Sequence, residues 1–202
     1  MQERDEIREW RALTRRGLLE LRAKQSATQQ VEAARAIGDA LLRALAPQAS
    51  DWLGFYWPIR GEIDLRAAVE GLIARGARAA LPEVTARDAP LTFRPWHPDC
   101  AMRRGVWDIP VPDTAVSITP TLLLIPCVAA DQQGYRLGYG GGFYDRTLAA
   151  LSPRPLTIGI VLHEALLPSI HPQEHDIPLD AVLSERAWVR PLPSVTKPRG
   201  PF

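Results

Sequence analysis

Apolar residues recur among charges over residues 5–24, where Ile7, Trp10, Leu13, Leu18 and Leu21 mark a rough stripe on an arginine-rich helix. Ser26 followed by Gln29 resembles a capping box, so a second helix opens there, runs through about Leu45 and is stopped by Pro47. The pattern then changes. Residues 52–56 are a short apolar run between Asp51 and Pro58, which predicts a buried strand. After the loop PIRGE, Asp64 reads as the N-cap of a helix over 65–75, with Gly76 as its stop. Residues 78–81 and 91–94 read as strands. The strongly apolar stretch 122–129 reads as a central strand despite Pro126 near its end. A glycine-rich loop follows, then a helix over 143–151, a buried strand over 156–162 and a last short one over 181–183.

Helices alternating with apolar strands predict an α/β fold: a three-layer α/β/α sandwich with a mostly parallel central sheet. No internal repeat interrupts it. At 202 residues the chain suits a single domain, placed at 1–190 with the N-terminal helical pair included. The proline-rich segment 191–202 reads as a tail lying outside that domain.

Charge narrows the choice of partners only by exclusion. Lys and Arg total 24 against 23 Asp and Glu, so a basic face for nucleic acid is not expected. The longest uncharged stretch, 114–130, is interrupted by Pro120 and Pro126, well short of the roughly 20 apolar residues a membrane span needs. The first residues, MQERDEIREWR, lack the hydrophobic region of a secretory signal. Cys100 and Cys127 make neither a disulfide framework nor a CxxC site. A reduced, cytoplasmic protein acting as a monomer on small molecules is the expectation.

The segment 136–146, RLGYGGGFYDR, carries the chemistry. Four glycines in five residues allow positive φ and let a ligand approach the backbone. Between a strand and a helix, such a loop can aim successive N–H groups at an anion, with phosphate the natural guest. It is neither a P-loop, since no GxxxxGK[ST] occurs, nor a dinucleotide fingerprint, which would need glycine where Phe143 stands. Arg136, Tyr139, Tyr144, Asp145 and Arg146 around it suit a phosphate–metal site.

Together with 123–131 (LLIPCVAAD), these residues resemble the signature of the 5-formyltetrahydrofolate cyclo-ligase family. Its pattern, an apolar strand ending near P-x-x-A-F-D and then G-x-R-L-G-x-G-x-G-Y/F-Y-D-R, is met by Pro126, Ala129, Asp131, Gly134, Arg136, Leu137, Gly138, Gly140, Gly142, Phe143, Tyr144, Asp145 and Arg146. Gly61-Glu62-Ile63-Asp64, the segment GVWDIP at 105–110 and HDIPLD at 175–180 resemble further family segments, in the same order. Arg11 and Arg15 fall where members often carry Lys and Arg four residues apart. Three departures stand out: Ala130 replaces the usual Phe, Gly141 stands where some members have Lys, and Phe143 replaces the commoner Tyr.

The resemblance implies cyclisation of 5-formyltetrahydrofolate to 5,10-methenyltetrahydrofolate, dependent on ATP and Mg²⁺. Arg136, Tyr144 and Asp145 would be catalytic. ATP would be met by Arg11, Arg15, Arg136 and the run Leu137, Gly138, Tyr139, Gly140, Gly141, Gly142, Phe143 and Tyr144. The folate would be met by Trp57, Glu62, Trp107 and the loop from Tyr139 to Phe143, with Glu62 offering a carboxylate to pterin N–H groups. Asp145, assisted by Asp176, would hold Mg²⁺. His171, Glu174, His175 and Asp176 also invite a transition-metal reading, but hard oxygen ligands suit Mg²⁺ better. Two other readings stay open: a phosphosugar isomerase or deaminase-like enzyme, and a non-catalytic folate- or nucleotide-binding module.

Overall fold

The computed structural model describes residues 2–48 and 50–193; the expected tail therefore lies, from residue 194 on, outside the described residues. Helix α1 spans Gln2–Ala23 and α2 spans Ala27–Ala44. The capping box is present: the Ser26 hydroxyl accepts from Gln29 N–H, and the Gln29 side chain accepts from Ser26 N–H. Strand β1 (Trp52–Gly54) leads to α3 (Arg66–Ile73), and β2 (Arg78–Glu83) and β3 (Thr92–Trp96) follow. Asp64 is not the cap that its sequence position suggests. Leu65 holds that place, and Asp64 Oδ1 instead accepts from the backbone N–H and the Nε of Arg66.

Strands β4 (Met102–Arg104) and β5 (Pro110–Pro112) make a small antiparallel hairpin that the sequence pattern does not announce. One of its arms is basic and the other is bounded by prolines, so neither shows an apolar alternation. Next come β6 (Leu122–Pro126), the two-residue strands β7 (Ala129–Ala130) and β8 (Arg136–Leu137), α4 (Phe143–Ala150), β9 (Leu156–Ile160), β10 (Ala181–Leu183) and β11 (Trp188–Arg190). The single strand expected over 122–129 is split. Pro126 can donate nothing further to the sheet, and Val128 N–H bonds to the Leu137 carbonyl, starting the β7–β8 hairpin.

The main sheet runs β11-β10-β9-β6-β1-β2-β3. Its five inner strands are parallel, and antiparallel β3 and β11 close the two edges. In β6 the successive side chains of Leu123, Leu124 and Ile125 are all 0% exposed. Neighbours on a strand point to opposite faces, so both faces of this sheet are covered, as the α/β expectation requires. Helices α2 and α3 pack closely: Gly38 sets its α-carbon against Ala68, and Gly71 sets its own against Leu42. A smaller apolar cluster of Val128, Ala129, Leu137 and Ile170 seats the β7–β8 hairpin beneath α1, with Leu18 bridging it to the main core.

Strand order fixes where a ligand would go. From β1 the chain builds outward through β2, and from β6 it builds the opposite way through β9 and β10. The loops leaving β1 and β6 therefore part in opposite directions, and the crevice at that switch point is the favoured binding position of open α/β sheets.

Candidate active site

The segment after β1 turns sharply at Arg60 (φ 49°) and Gly61 (φ 72°). Glu62 closes this turn on itself: its N–H donates to the Ile59 carbonyl and its Oε2 accepts from Ile59 N–H, both at 2.9 Å. Opposite, at the end of β6, the Cys127 carbonyl accepts from Arg22 Nη2 at 2.6 Å. Arg22 is only 5% exposed although it belongs to α1. Its other terminal nitrogen reaches the Tyr139 hydroxyl at 3.4 Å, and that hydroxyl lies near enough to the Glu62 carboxyl to favour its charged form. Arg22, Tyr56, Glu62, Ile63 and Cys127 enclose a cavity of about 10 Å³, room for one water molecule.

Burial pushes Glu62 up to about 7, although the Ile59 N–H, Arg22, Tyr139 and Arg60 all favour its charged form. Burial likewise raises the Cys127 thiol to about 12. Desolvation lifts Tyr139 and Tyr144 well above the ordinary phenol, with the Glu62 charge adding to both.

The glycine loop lies alongside. Arg15 Nε donates to the Gly138 carbonyl at 2.6 Å, joining the loop to α1. Among the described residues, none of the N–H groups of 138–142 donates to the chain itself. Gly142 caps α4 with φ 66°, a left-handed conformation that calls for glycine. Arg146 steadies the loop, donating to the carbonyls of Gly141 and Arg87 and lying over the Phe143 ring at 4.8 Å. Beyond Tyr139 a cleft of about 470 Å³ opens between α1 and Arg60, lined by Ala12, Arg15, Arg16, Leu19, Arg60 and Tyr139.

The two ends of the loop are tied together. Arg136, 6% exposed, donates from Nη2 to Asp145 Oδ1 at 2.9 Å and from Nη1 to the Ile177 carbonyl, while Ile177 N–H returns to Asp145 Oδ1. Asp176 pairs with Arg11 through both oxygens, at 2.7 and 3.1 Å, and also accepts from Gln173 N–H. Burial would raise Asp176, but Arg11, the Gln173 N–H and His175 together outweigh it and hold the carboxyl below the usual range.

The sequence model of the 5-formyltetrahydrofolate cyclo-ligase family matches residues 3–185. The chain belongs to this family. It is therefore an enzyme, and the readings as a binding module or an isomerase are set aside. The Haemophilus influenzae 5-formyltetrahydrofolate cyclo-ligase is 27% identical over 170 residues, covering 81% of this chain and 91% of the relative. The Mycolicibacterium smegmatis cyclo-ligase is 32% identical over 143 residues, covering 66% and 73%. In fold, the chain is similar to the Aquifex aeolicus 5,10-methenyltetrahydrofolate synthetase, with TM-score 0.76, 23% identity and 95% and 96% of the two chains covered.

In this cyclo-ligase-family chain most of the expected site residues converge. Arg15, Arg136, Leu137 to Tyr144 and Asp145 form the loop and its supports, and Glu62 reaches them through Tyr139. Trp107 also arrives. It is 67% exposed on a left-handed turn (φ 56°) and meets the Phe143 ring edge-on at 5.8 Å. Trp57 is engaged elsewhere, under the Arg66 guanidinium at 4.6 Å.

The two expected metal ligands differ in fit. Asp145 leaves Oδ2 without a hydrogen bond among the described residues, so one position of an Mg²⁺ shell is open to it. Both oxygens of Asp176 are occupied by Arg11 and Gln173, so this conformation does not offer it as a ligand. No group of three or more His, Cys, Asp or Glu side chains among the described residues is arranged to hold a metal. His171 packs edge-on against Trp10 instead. Sequence reading missed Arg22 and Arg60. Arg22 stands eleven residues after Arg11, three helical turns on and on the same face, which was a usable signal.

Proposed function

We propose that this enzyme converts 5-formyltetrahydrofolate to 5,10-methenyltetrahydrofolate, using ATP with Mg²⁺ and releasing ADP and phosphate. The observation that carries the reading is the row of N–H groups over 138–142, unspent on the chain, beside a cleft that Tyr139 and Arg15 line. Such a row, continued by the N-terminus of α4, is a cradle for phosphate.

A formyl amide is a poor electrophile. Transfer of the γ-phosphoryl group of ATP to its oxygen turns that oxygen into a leaving group; N10 then adds to the same carbon, and phosphate departs with the C–O electron pair. Phosphoryl transfer asks the protein mainly for positioning and charge neutralisation. The loop N–H groups and Arg15 would hold phosphate oxygens, and Arg136 would keep the loop's two ends closed through Asp145. Bound Mg²⁺ would neutralise charge on the phosphates, with Asp145 Oδ2 as its protein ligand. Glu62 would serve N–H groups of the folate, and Trp107 beside Phe143 offers a flat apolar face to a planar ring. The two free cysteines suit a reducing cytoplasm.

The test is an absorbance assay with 5-formyltetrahydrofolate and Mg²⁺, with and without ATP. The methenyl product should accumulate only with ATP. Product formed without ATP, or none under any condition, would overturn the reading.

A further inference from the structure

Ring closure in the reaction proposed above leaves a proton to be placed. N10 carries one N–H; when it adds to the activated carbon it becomes cationic, and the proton must leave before phosphate can depart with the C–O electrons. The cavity at the switch point has room for only a single water, so a proton released there meets protein groups rather than bulk solvent.

Glu20 lines the open cleft but is exposed to solvent, and the buried carboxylates around the site are already committed. Asp131 is 1% exposed; its Oδ1 accepts from Gln133 and Tyr135 N–H, and its Oδ2 faces Ile170 N–H. Asp145 is paired with Arg136, and Asp176 with Arg11. Glu62 differs from all three. It is 9% exposed and lines the cavity, yet it forms no direct ion pair among the described residues. It also sits near the phosphate cradle, because Arg22, which lines the same cavity, reaches the hydroxyl of Tyr139, the second residue of the glycine loop. In the cyclisation reading, the reacting end of the folate is the end that lies beside this cradle.

An exit for the proton is built in. The Tyr139 hydroxyl meets Arg22 on its inner side and lies near enough to Glu62 to influence its charge, while the residue is 37% exposed and lines the open cleft on its outer side.

We propose that Glu62 takes the N10 proton as the ring closes and passes it through the Tyr139 hydroxyl to water in the open cleft. This rests on the cyclisation reading and narrows it: of the substrate's N–H groups, Glu62 serves N10–H. The N10–H bond breaks as the N10–C bond forms, the proton ends on the carboxylate, and phosphate leaves with the C–O pair. Each cycle restores Glu62 by proton exchange through Tyr139.

The surroundings suit a group that must both gain and lose a proton near neutrality. Burial favours the neutral carboxyl, and Arg22 of α1, Arg60 of its own turn and Tyr139 of the glycine loop pull it back. Tyr56, Cys127 and Tyr144 also face it from the β1 end, the β6 end and α4, and all three are held neutral by their own burial. The midpoint of about 7 is the balance of these opposing effects.

The experiment compares wild type, Glu62→Gln and Tyr139→Phe, measuring kcat and KM against pH with saturating ATP and Mg²⁺. The Glu62 carboxyl is also titrated directly by ¹³C NMR in the ligand-free protein, its signal assigned by its loss in Glu62→Gln. Wild-type kcat should rise with pH along a single limb. Glu62→Gln should lose that limb and roughly 10²–10⁴-fold in kcat, with folate KM much less affected. In Tyr139→Phe the limb should move to higher pH, because the lost hydroxyl favoured the carboxylate. A Glu62→Gln enzyme with near wild-type kcat, or with its pH limb intact, would overturn the proton role and leave the cyclisation standing. Wild type without ATP-dependent turnover would overturn both.

Discussion

Glu62 shows how far one residue's chemistry is set by segments distant in sequence. The unfolded carboxyl titrates near 4.5 and the folded one near 7, so between these values the native state binds more protons. Its contribution is fully present below about 4.5 and is lost as pH rises through about 7, on the order of 3 kcal/mol across the window. Glu62→Gln carries no titrating group there. The difference in melting temperature, wild type minus Glu62→Gln, should therefore fall steadily from pH 4.5 to 7 and flatten above. A difference that rises with pH would mean the buried carboxyl is held charged. The family resemblance marked Glu62 as a folate ligand, in the segment Gly61-Glu62-Ile63-Asp64. Its proton affinity was not legible there, since Arg22, Tyr56, Cys127 and Tyr139 reach it from four separate places. Asp176 shows the same limit: an acidic loop position reads as a metal ligand until the fold sets Arg11 against both of its oxygens.

At the level of elements, local chemistry was read well where it is self-contained. Ser26 and Gln29 satisfy each other's backbone N–H groups within one turn, so spacing alone marked the start of α2. Ser26→Ala should cost about 1 kcal/mol. For a chain of this size that lowers the melting temperature by roughly 2–4 °C. Turnover below the transition should be unchanged, since the Ser26 hydroxyl bonds only within its own turn. Scanning calorimetry with a parallel activity measurement checks this, and an unshifted transition would mean the box is redundant with the packing of Ala33, Ile37 and Leu41. Asp64 was misread because its carboxylate is drawn to the Arg66 side chain as well as its N–H, and the helix begins two residues later. The β4–β5 hairpin escaped notice for another reason. It is fixed from outside: buried Glu83 of β2 accepts from Arg103 of β4 and from Arg94 of β3. No pattern within 102–112 encodes that anchor, although the hairpin carries Trp107 to the glycine loop.

Across the whole molecule, α1 is the piece that turns an open sheet edge into an enclosed site. Its arginines fasten it at three points: Arg11 to Asp176, Arg15 to the Gly138 carbonyl and Arg22 to the Cys127 carbonyl. The first of these lets the two roles of Asp176, metal ligand or latch, be separated. As a latch, Asp176 acts only through Arg11, so Arg11→Met and Asp176→Asn should each destabilise, and the double variant should cost little more than either. A double-mutant cycle by urea unfolding should then return a coupling of roughly 0.5–3 kcal/mol. The Mg²⁺ concentration for half-maximal turnover should shift in parallel in the two single variants, or in neither. As a metal ligand freed by movement of Arg11, Asp176 gives the opposite pattern. Asp176→Asn alone would raise the Mg²⁺ requirement, Arg11→Met would leave it in place or lower it, and the stability effects would add.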